Sequence, residues 1–170
     1  MKTILLSFCL ILGLGSIAQV HRPGIPSEWR KGIIAVGFIY EDAPYRECHA
    51  STVVETPAGL VAAWFGGTRE GNNDVCVYLS HYSEGKWSTP VMAADGFIND
   101  STRYACYNPV LYQVPGGELL LFYKIGPNVQ GWTAWMKRSN DNGRSWTKAT
   151  QLPDGILGPS ETRHTWLTVS

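Results

Sequence analysis

Ser139-Asn140-Asp141-Asn142-Gly143-Arg144-Ser145-Trp146 is the stretch that decides the fold. It reads S-x-D-x-G-x-S-W. A short acidic side chain such as Asp141 accepts hydrogen bonds from backbone N–H groups of its own turn. Gly143 supplies the positive φ that a tight hairpin needs. Trp146 then returns the chain into a sheet as a large apolar plug. Ser139, Asp141, Gly143 and Trp146 together read as a folding device that carries no chemistry of its own.

The frame of that device occurs twice. Trp87 and Trp146 lie 59 residues apart, and so do Ser80 and Ser139. The earlier copy, Ser80-His81-Tyr82-Ser83-Glu84-Gly85-Lys86-Trp87, lacks the Asp and carries its Gly one place later. Upstream, Thr56-Pro57-Ala58-Gly59-Leu60 matches Val114-Pro115-Gly116-Gly117-Glu118 at an offset of 58. Short runs rich in Val, Leu and aromatics flank both turns: 51–55 and 60–65 in the first copy, 109–113 and 119–123 in the second. Third runs follow at 75–79 and 133–137. Such runs, bounded by turn residues, predict strands. No stretch after the leader keeps a helical period. A repeat of this length with about four strands suits one blade of a β-propeller.

Two units cover roughly residues 44–155 of a 170-residue chain. A propeller ring needs about four to eight blades, and an open stack leaves bare sheet edges. The expectation is an N-terminal portion of a longer propeller: two blades and the start of a third over 44–170. Residues 19–43 form an N-terminal segment, in which 33–40 reads as a ring-closing strand. Met1-Lys2 and the apolar run 3–12, with small residues at Ser16-Ile17-Ala18, predict a secretory leader over 1–18, too short to span a bilayer. That places the mature protein outside the cytoplasm, secreted or periplasmic, with no stable membrane anchor.

The 14 basic and 14 acidic residues balance, and losing Lys2 with the leader leaves a net charge of −1. This gives no electrostatic case for nucleic acid. Cys48, Cys76 and Cys106 remain after the leader, without a CxxC pair, so zinc is not expected. Cys48 and Cys106 hold equivalent repeat positions, which leaves a disulfide or free thiols open. The Asn99-Asp100-Ser101 glycosylation triplet is too common to weigh.

The S-x-D-x-G-x-S-W pattern is called an Asp box. With the blade repeat and the segments His49-Ala50-Ser51-Thr52-Val53-Val54-Glu55-Thr56-Pro57 and Ala62-Ala63-Trp64-Phe65-Gly66-Gly67-Thr68-Arg69-Glu70, it resembles the sialidase (neuraminidase) superfamily with BNR repeats, in its bacterial exo-alpha-sialidase-like branch. The resemblance implies an all-β propeller of about six blades, with the active site on its axis. It implies a secreted exo-glycosidase that hydrolyses a terminal, acidic sugar from a glycan or glycoconjugate. It implies no cofactor and no metal. Family members bind the substrate carboxylate with three arginines and use an Asp as acid/base with a Tyr nucleophile paired to a Glu. The place of the first family arginine falls on His49 here, with Arg46 one short loop earlier; replacement by His49 and displacement to Arg46 both stay open. The acid/base loop corresponds to Arg69-Glu70-Gly71-Asn72-Asn73-Asp74. Asp74 is its closest match, Glu70 a second carboxylate for the same work, and Arg69 a substrate contact. The nucleophile would lie beyond residue 170.

The repeat adds its own candidates. Innermost strands line a propeller axis, so their first residues, His49 in one unit and Tyr107-Asn108 in the next, reach the mouth. Histidine titrates where proton transfer or anion binding needs it. Arg46 can clasp a carboxylate in a two-pronged fashion. Lys124 matches Gly66 at the 58-residue offset and ends an apolar strand at the same mouth. Trp64, Phe65, Trp132 and Trp135 could stack on a sugar face, though packing between sheets suits most of them better. Two other functions suit the same fold: a non-catalytic glycan-binding propeller, and a lyase using His49 as base on a uronic-acid glycan.

Overall fold

The computed structural model describes residues 30–33 and 36–159. The chain divides into two compact units, Met1–Gly37 and Phe38–Ser170. In the first, the described residues hold a single 3-10 turn, Arg30–Gly32. The expected leader (1–18) and the third-blade residues 160–170 lie outside the described residues. The stretch at 33–40, expected as a strand, contributes none at its described positions 33 and 36–40.

The second unit is all-β. Strands β1 (Glu47–Thr56), β2 (Gly59–Gly67), β3 (Cys76–Ser83) and β4 (Lys86–Trp87) form one antiparallel meander, with β5 (Val91–Ala94) also paired to β3. Strands β6 (Ala105–Gln113), β7 (Leu119–Gly126), β8 (Thr133–Ser139) and β9 (Thr150–Gln151) repeat the meander. The short β4, β5 and β9 fall outside the strand runs named above, β4 at the point where the first copy's Trp87 rejoins the sheet.

The Pro-Gly turn forces the first hairpin. Gly59 has φ +114°, and a Cβ there would sit 2.4 Å from the Tyr82 carbonyl oxygen. The Thr56 hydroxyl closes the turn, donating to the Gly59 carbonyl at 2.8 Å. β2 then runs buried from Val61 to Gly67, as an unbroken apolar strand does when both its faces are covered. One face meets the second sheet: Val61, Ala63, Val77 and Leu79 pack with Cys106, Leu111, Leu119, Leu121, Tyr123 and Ile125. Fully burying each of the Val, Leu and Ile side chains among them contributes about 1.5–3 kcal/mol. On the other face Trp64 stacks on Tyr40 and donates its indole N–H to the Tyr45 hydroxyl at 2.7 Å. Two bonds tie β6 to the first sheet: Cys106 N–H donates to the Val75 carbonyl at 3.0 Å and Leu111 N–H to the Thr52 hydroxyl at 3.4 Å.

The same geometry settles the cysteines. Cys48 pairs with Gly66, and Cys106 with Ile125. Both side chains therefore take the equivalent face of their own sheet, and a whole sheet separates them. Cys106 is buried between the sheets, Cys48 is exposed beside the Tyr40 hydroxyl, and all three described cysteines are free. Matching repeat positions work against a disulfide here.

Residues 139–146 fold as their pattern demands. Asp141 accepts the Ser145 N–H at 2.8 Å, the Ser145 hydroxyl at 2.5 Å and the Ser139 hydroxyl at 2.7 Å. Gly143 N–H donates to the Ser139 hydroxyl at 2.7 Å. Asn142 and Gly143 take φ +60° and +87°. A Cβ on Gly143 would meet His81, Leu119 and Trp146 at 3.2–3.5 Å. In the earlier copy Glu84 and Gly85 make a plain two-residue turn, both with positive φ. The two copies touch: His81 Nε2 lies 3.0 Å from the Asn142 carbonyl.

Hydrogen bonds from Ser145 and Ser139 hold the Asp141 carboxyl far below its ordinary value. An unfolded aspartate titrates near about pH 3.9. Asp141 therefore stabilises the fold fully above that pH and ceases to as pH falls through its lower folded value. A melting series from about pH 5 down to about pH 2 should show Asp141→Asn losing less stability to acid than the wild type. Equal acid slopes would refute this role.

Candidate functional site

Strands β1 and β6, the first of each sheet, share one irregularity. In β1 the pairing passes from His49↔Phe65 to Thr52↔Ala63, so Ala50 and Ser51 oppose the single Trp64. In β6 it passes from Tyr107↔Lys124 to Val110↔Phe122, so Asn108 and Pro109 oppose the single Tyr123. Ala50 and Asn108, equivalent in the repeat, both take positive φ, +52° and +42°. For alanine that conformation costs about 1–2 kcal/mol. Bulges re-aim side chains and concentrate beside functional sites. Here each one sits directly after a sequence-expected site residue, His49 or Tyr107.

A row of rings crosses from one sheet to the next. His49 stacks on Phe65, centroids 5.7 Å apart and planes 12° apart. Phe65 meets Tyr107 edge-on at 5.8 Å, and Tyr107 packs on Trp132 at 5.0 Å. The β2–β3 loop lies over this row. Glu70 Oε2 comes within 3.6 Å of His49 Nδ1. The Glu70 N–H donates to Glu47 Oε2 at 2.8 Å, which fixes the loop to the start of β1. Burial raises the Tyr107 hydroxyl above its ordinary pKa, and the Glu70 charge adds to the rise. The His49 and Glu70 side chains are 55% and 49% exposed. Their pairing adds little stability at that exposure, and both remain open to a ligand.

The remaining expected residues divide. Arg46 and Arg69 are exposed on neighbouring segments, and the Arg46 N–H donates to the Gly67 carbonyl at 3.1 Å. Neither side chain has a hydrogen bond or ion pair among the described residues. Asn108 lies in the β6 bulge, half-buried. Asp74 does not join His49. Its carboxylate accepts the Thr68 N–H at 2.9 Å and the Thr68 hydroxyl at 3.0 Å. Burial pushes that carboxyl up, but the Thr68 bonds and nearby Arg103 outweigh it, and the net shift is downward. Its charge acts on Cys76 and Tyr78. These pair with Gly66 and Trp64, on the face opposite Phe65 and His49.

Lys124 is displaced by one position from its expected match. The second Pro-Gly turn is one residue longer than the first. The offset is therefore 58 before the turn and 59 after it, and Lys124 stands opposite Tyr107 as Phe65 stands opposite His49. The side chain is buried and its Nζ donates to the Pro159 carbonyl. Burial lowers the ammonium pKa. Of the four rings expected mostly between sheets, Trp135 packs against the core shared by the two sheets, Trp64 stacks on Tyr40 on the opposite face of its sheet, and Phe65 and Trp132 belong to the row at the site.

Glu47 escaped the sequence reading. A signal existed: residues two apart in a strand share a face, so Glu47 belongs with His49. Among the described residues no His, Cys, Asp and Glu cluster is arranged to hold a metal ion. No described helix is long and apolar enough to cross a membrane.

The BNR repeat-like domain family matches residues 58–168. None of the curated proteins matches the chain. Among solved structures, the fold is similar to that of the Hadza microbial sialidase Hz136, with a TM-score of 0.53 and 13% identity over 61% of this chain. The match spans 25% of that sialidase. A protein of unknown function from Dyadobacter fermentans DSM 18053 aligns with a TM-score of 0.48 and 17% identity, over 64% of this chain and 38% of the other.

Proposed function

This chain belongs to the BNR repeat-like domain family, and we propose from that premise that its two sheets are successive blades of a sialidase-type propeller. The ring would hold about six blades, the others lying outside these residues. Its mouth would act on a terminal acidic sugar of a glycan outside the cytoplasm, the leader over 1–18 directing export. The observation that carries this reading is the repeated bulge. It sets His49 and Tyr107 at matching ends of two adjacent inner strands, joined by rings and overhung by Glu70.

The chemistry follows from the groups present. Arg46, Arg69 and His49 supply positive charge for a substrate carboxylate, arginine as a planar fork. The Glu70 carboxylate faces His49 Nδ1 at 3.6 Å and orients the ring. The imidazolium gives its proton to the glycosidic oxygen, the bond from that oxygen to the sugar carbon breaks, and positive charge develops on the ring. Water adds to the sugar carbon and returns a proton to the pair. Asp74, held ionised by Thr68, is a poor donor for this step, so proton transfer is assigned to Glu70 and His49.

Product analysis tests the reading. The intact protein that carries this chain, given a sialylated glycan and a uronic-acid glycan, should release a saturated acidic monosaccharide. An unsaturated product absorbing in the near ultraviolet would instead make His49 the base of a lyase. Binding without any product would leave a glycan-binding propeller.

A further inference from the structure

A groove lies between β5 with the loop that follows it and strands β7 and β8, apart from His49 and Glu70. It offers about 600 Å³, within the range of small-molecule sites. Phe97, Trp135, Asp95, Asp100, Lys137 and Lys148 line it. We propose that this groove binds a neutral oligosaccharide.

The walls are built in advance. On one side residues 95–103 form a braced loop. Phe97 bridges to Arg103 as an isolated antiparallel pair, and the Ile98 N–H donates to the Thr102 carbonyl at 3.0 Å. The Tyr104 N–H donates to the Gly96 carbonyl at 3.0 Å. The Asn99 side-chain oxygen accepts from Ser101 N–H at 3.0 Å and Thr102 N–H at 2.9 Å. The Arg103 guanidinium sits 5.2 Å from the Phe97 ring centre, yet Phe97 stays 48% exposed. A large ring braced at such exposure is not filling a core. On the other side, the Trp135 indole N–H donates to the Thr133 hydroxyl at 2.9 Å. Lys137 Nζ donates to the Ala93 carbonyl at 2.6 Å.

The lining chemistry selects the ligand. Two carboxylates face two ammonium groups, so the groove has no net charge to attract a strongly anionic or cationic partner. Sugar hydroxyls both donate and accept. Carboxylates offer acceptors and ammonium groups offer donors, while aromatic faces suit the apolar side of a sugar ring. An open groove, an exposed braced ring and mixed donors and acceptors fit a neutral sugar chain better than an apolar ligand. The inference stands apart from the chemistry proposed for the mouth.

The test is an NMR titration of the intact protein with a neutral tetrasaccharide of alternating galactose and N-acetylglucosamine, read at the Trp135 indole N–H. The probe lacks an acidic terminal sugar, so the mouth should not turn it over. Saturable shifts at Trp135 with Kd on the order of 1 mM are expected. Phe97→Ala and, separately, Lys148→Ala should each weaken binding by about tenfold or more, about 1.4 kcal/mol, with unchanged melting. His49→Ala should leave the titration as it was. No saturable shift, or binding that resists both groove variants but is lost with His49→Ala, would overturn the proposal.

Discussion

Glu70→Gln is expected to lower kcat of the intact protein on an acidic glycoside by on the order of 10²–10⁴-fold, the range for a lost general acid–base group. Glu70 lies 3.6 Å from His49 Nδ1, with both side chains open to solvent. The amide keeps the shape of the loop but removes the carboxylate that faces His49 Nδ1. His49→Ala should cost a comparable factor and also raise KM, since His49 is part of the positive charge facing the substrate. Asp74→Asn separates this arrangement from the one the sequence suggests. Its carboxylate serves Thr68, so kcat should change by less than about tenfold, an order of magnitude short of a missing proton donor. Steady-state kinetics on the three variants, each melting like the wild type, checks the ranking. A large loss in Asp74→Asn with normal turnover in Glu70→Gln would return the role to Asp74.

Trp146→Ala should destabilise the folded protein by about 3 kcal/mol, toward the low end for truncating a large core aromatic because the ring is only half-buried. Trp146 packs against the cluster shared by both sheets, and its indole nitrogen is buried without a partner among the described residues. The ring also backs Gly143 at the point where Asn142 meets His81 of the neighbouring copy. Its loss should therefore loosen the junction between sheets as well as one turn. Denaturant titration gives the number, and kcat of the folded fraction should stay near wild type. A stability loss below about 1 kcal/mol would fall outside the usual core range and make Trp146 a surface residue in effect.

The fold was legible because its signals are local. The spacing of Ser139, Asp141, Gly143 and Trp146 dictates a turn, and Asp141 accepts the Ser145 backbone N–H in it, with the Ser139 and Ser145 hydroxyls besides. The 58- and 59-residue offsets then place whole strands. The site was legible only in part, because it depends on which face a residue takes. A one-residue change in strand register reverses every face. The longer second turn did this to the expected match of Lys124. Asp74 and Glu70 lie four positions apart in one loop, and no periodicity says which carboxylate turns toward His49. Thr68 decides it by capturing Asp74, through a contact between side chains that strand patterning does not encode. Cys48 and Cys106, left open between a disulfide and free thiols, are free because faithful repetition places them on equivalent faces, with a sheet between.

The central claim is that His49 and Glu70 of one blade and Tyr107 of the next form the wall of a sugar-binding mouth. The most direct measurement is a crystal structure of the intact protein with an unsaturated sialic-acid analogue bound. The account predicts the sugar ring beside Tyr107 with a polar atom about 3 Å from His49 or Glu70, and the carboxylate facing Arg46 or Arg69. An analogue seated elsewhere, with His49 and Glu70 covered by other parts of the chain, would contradict it.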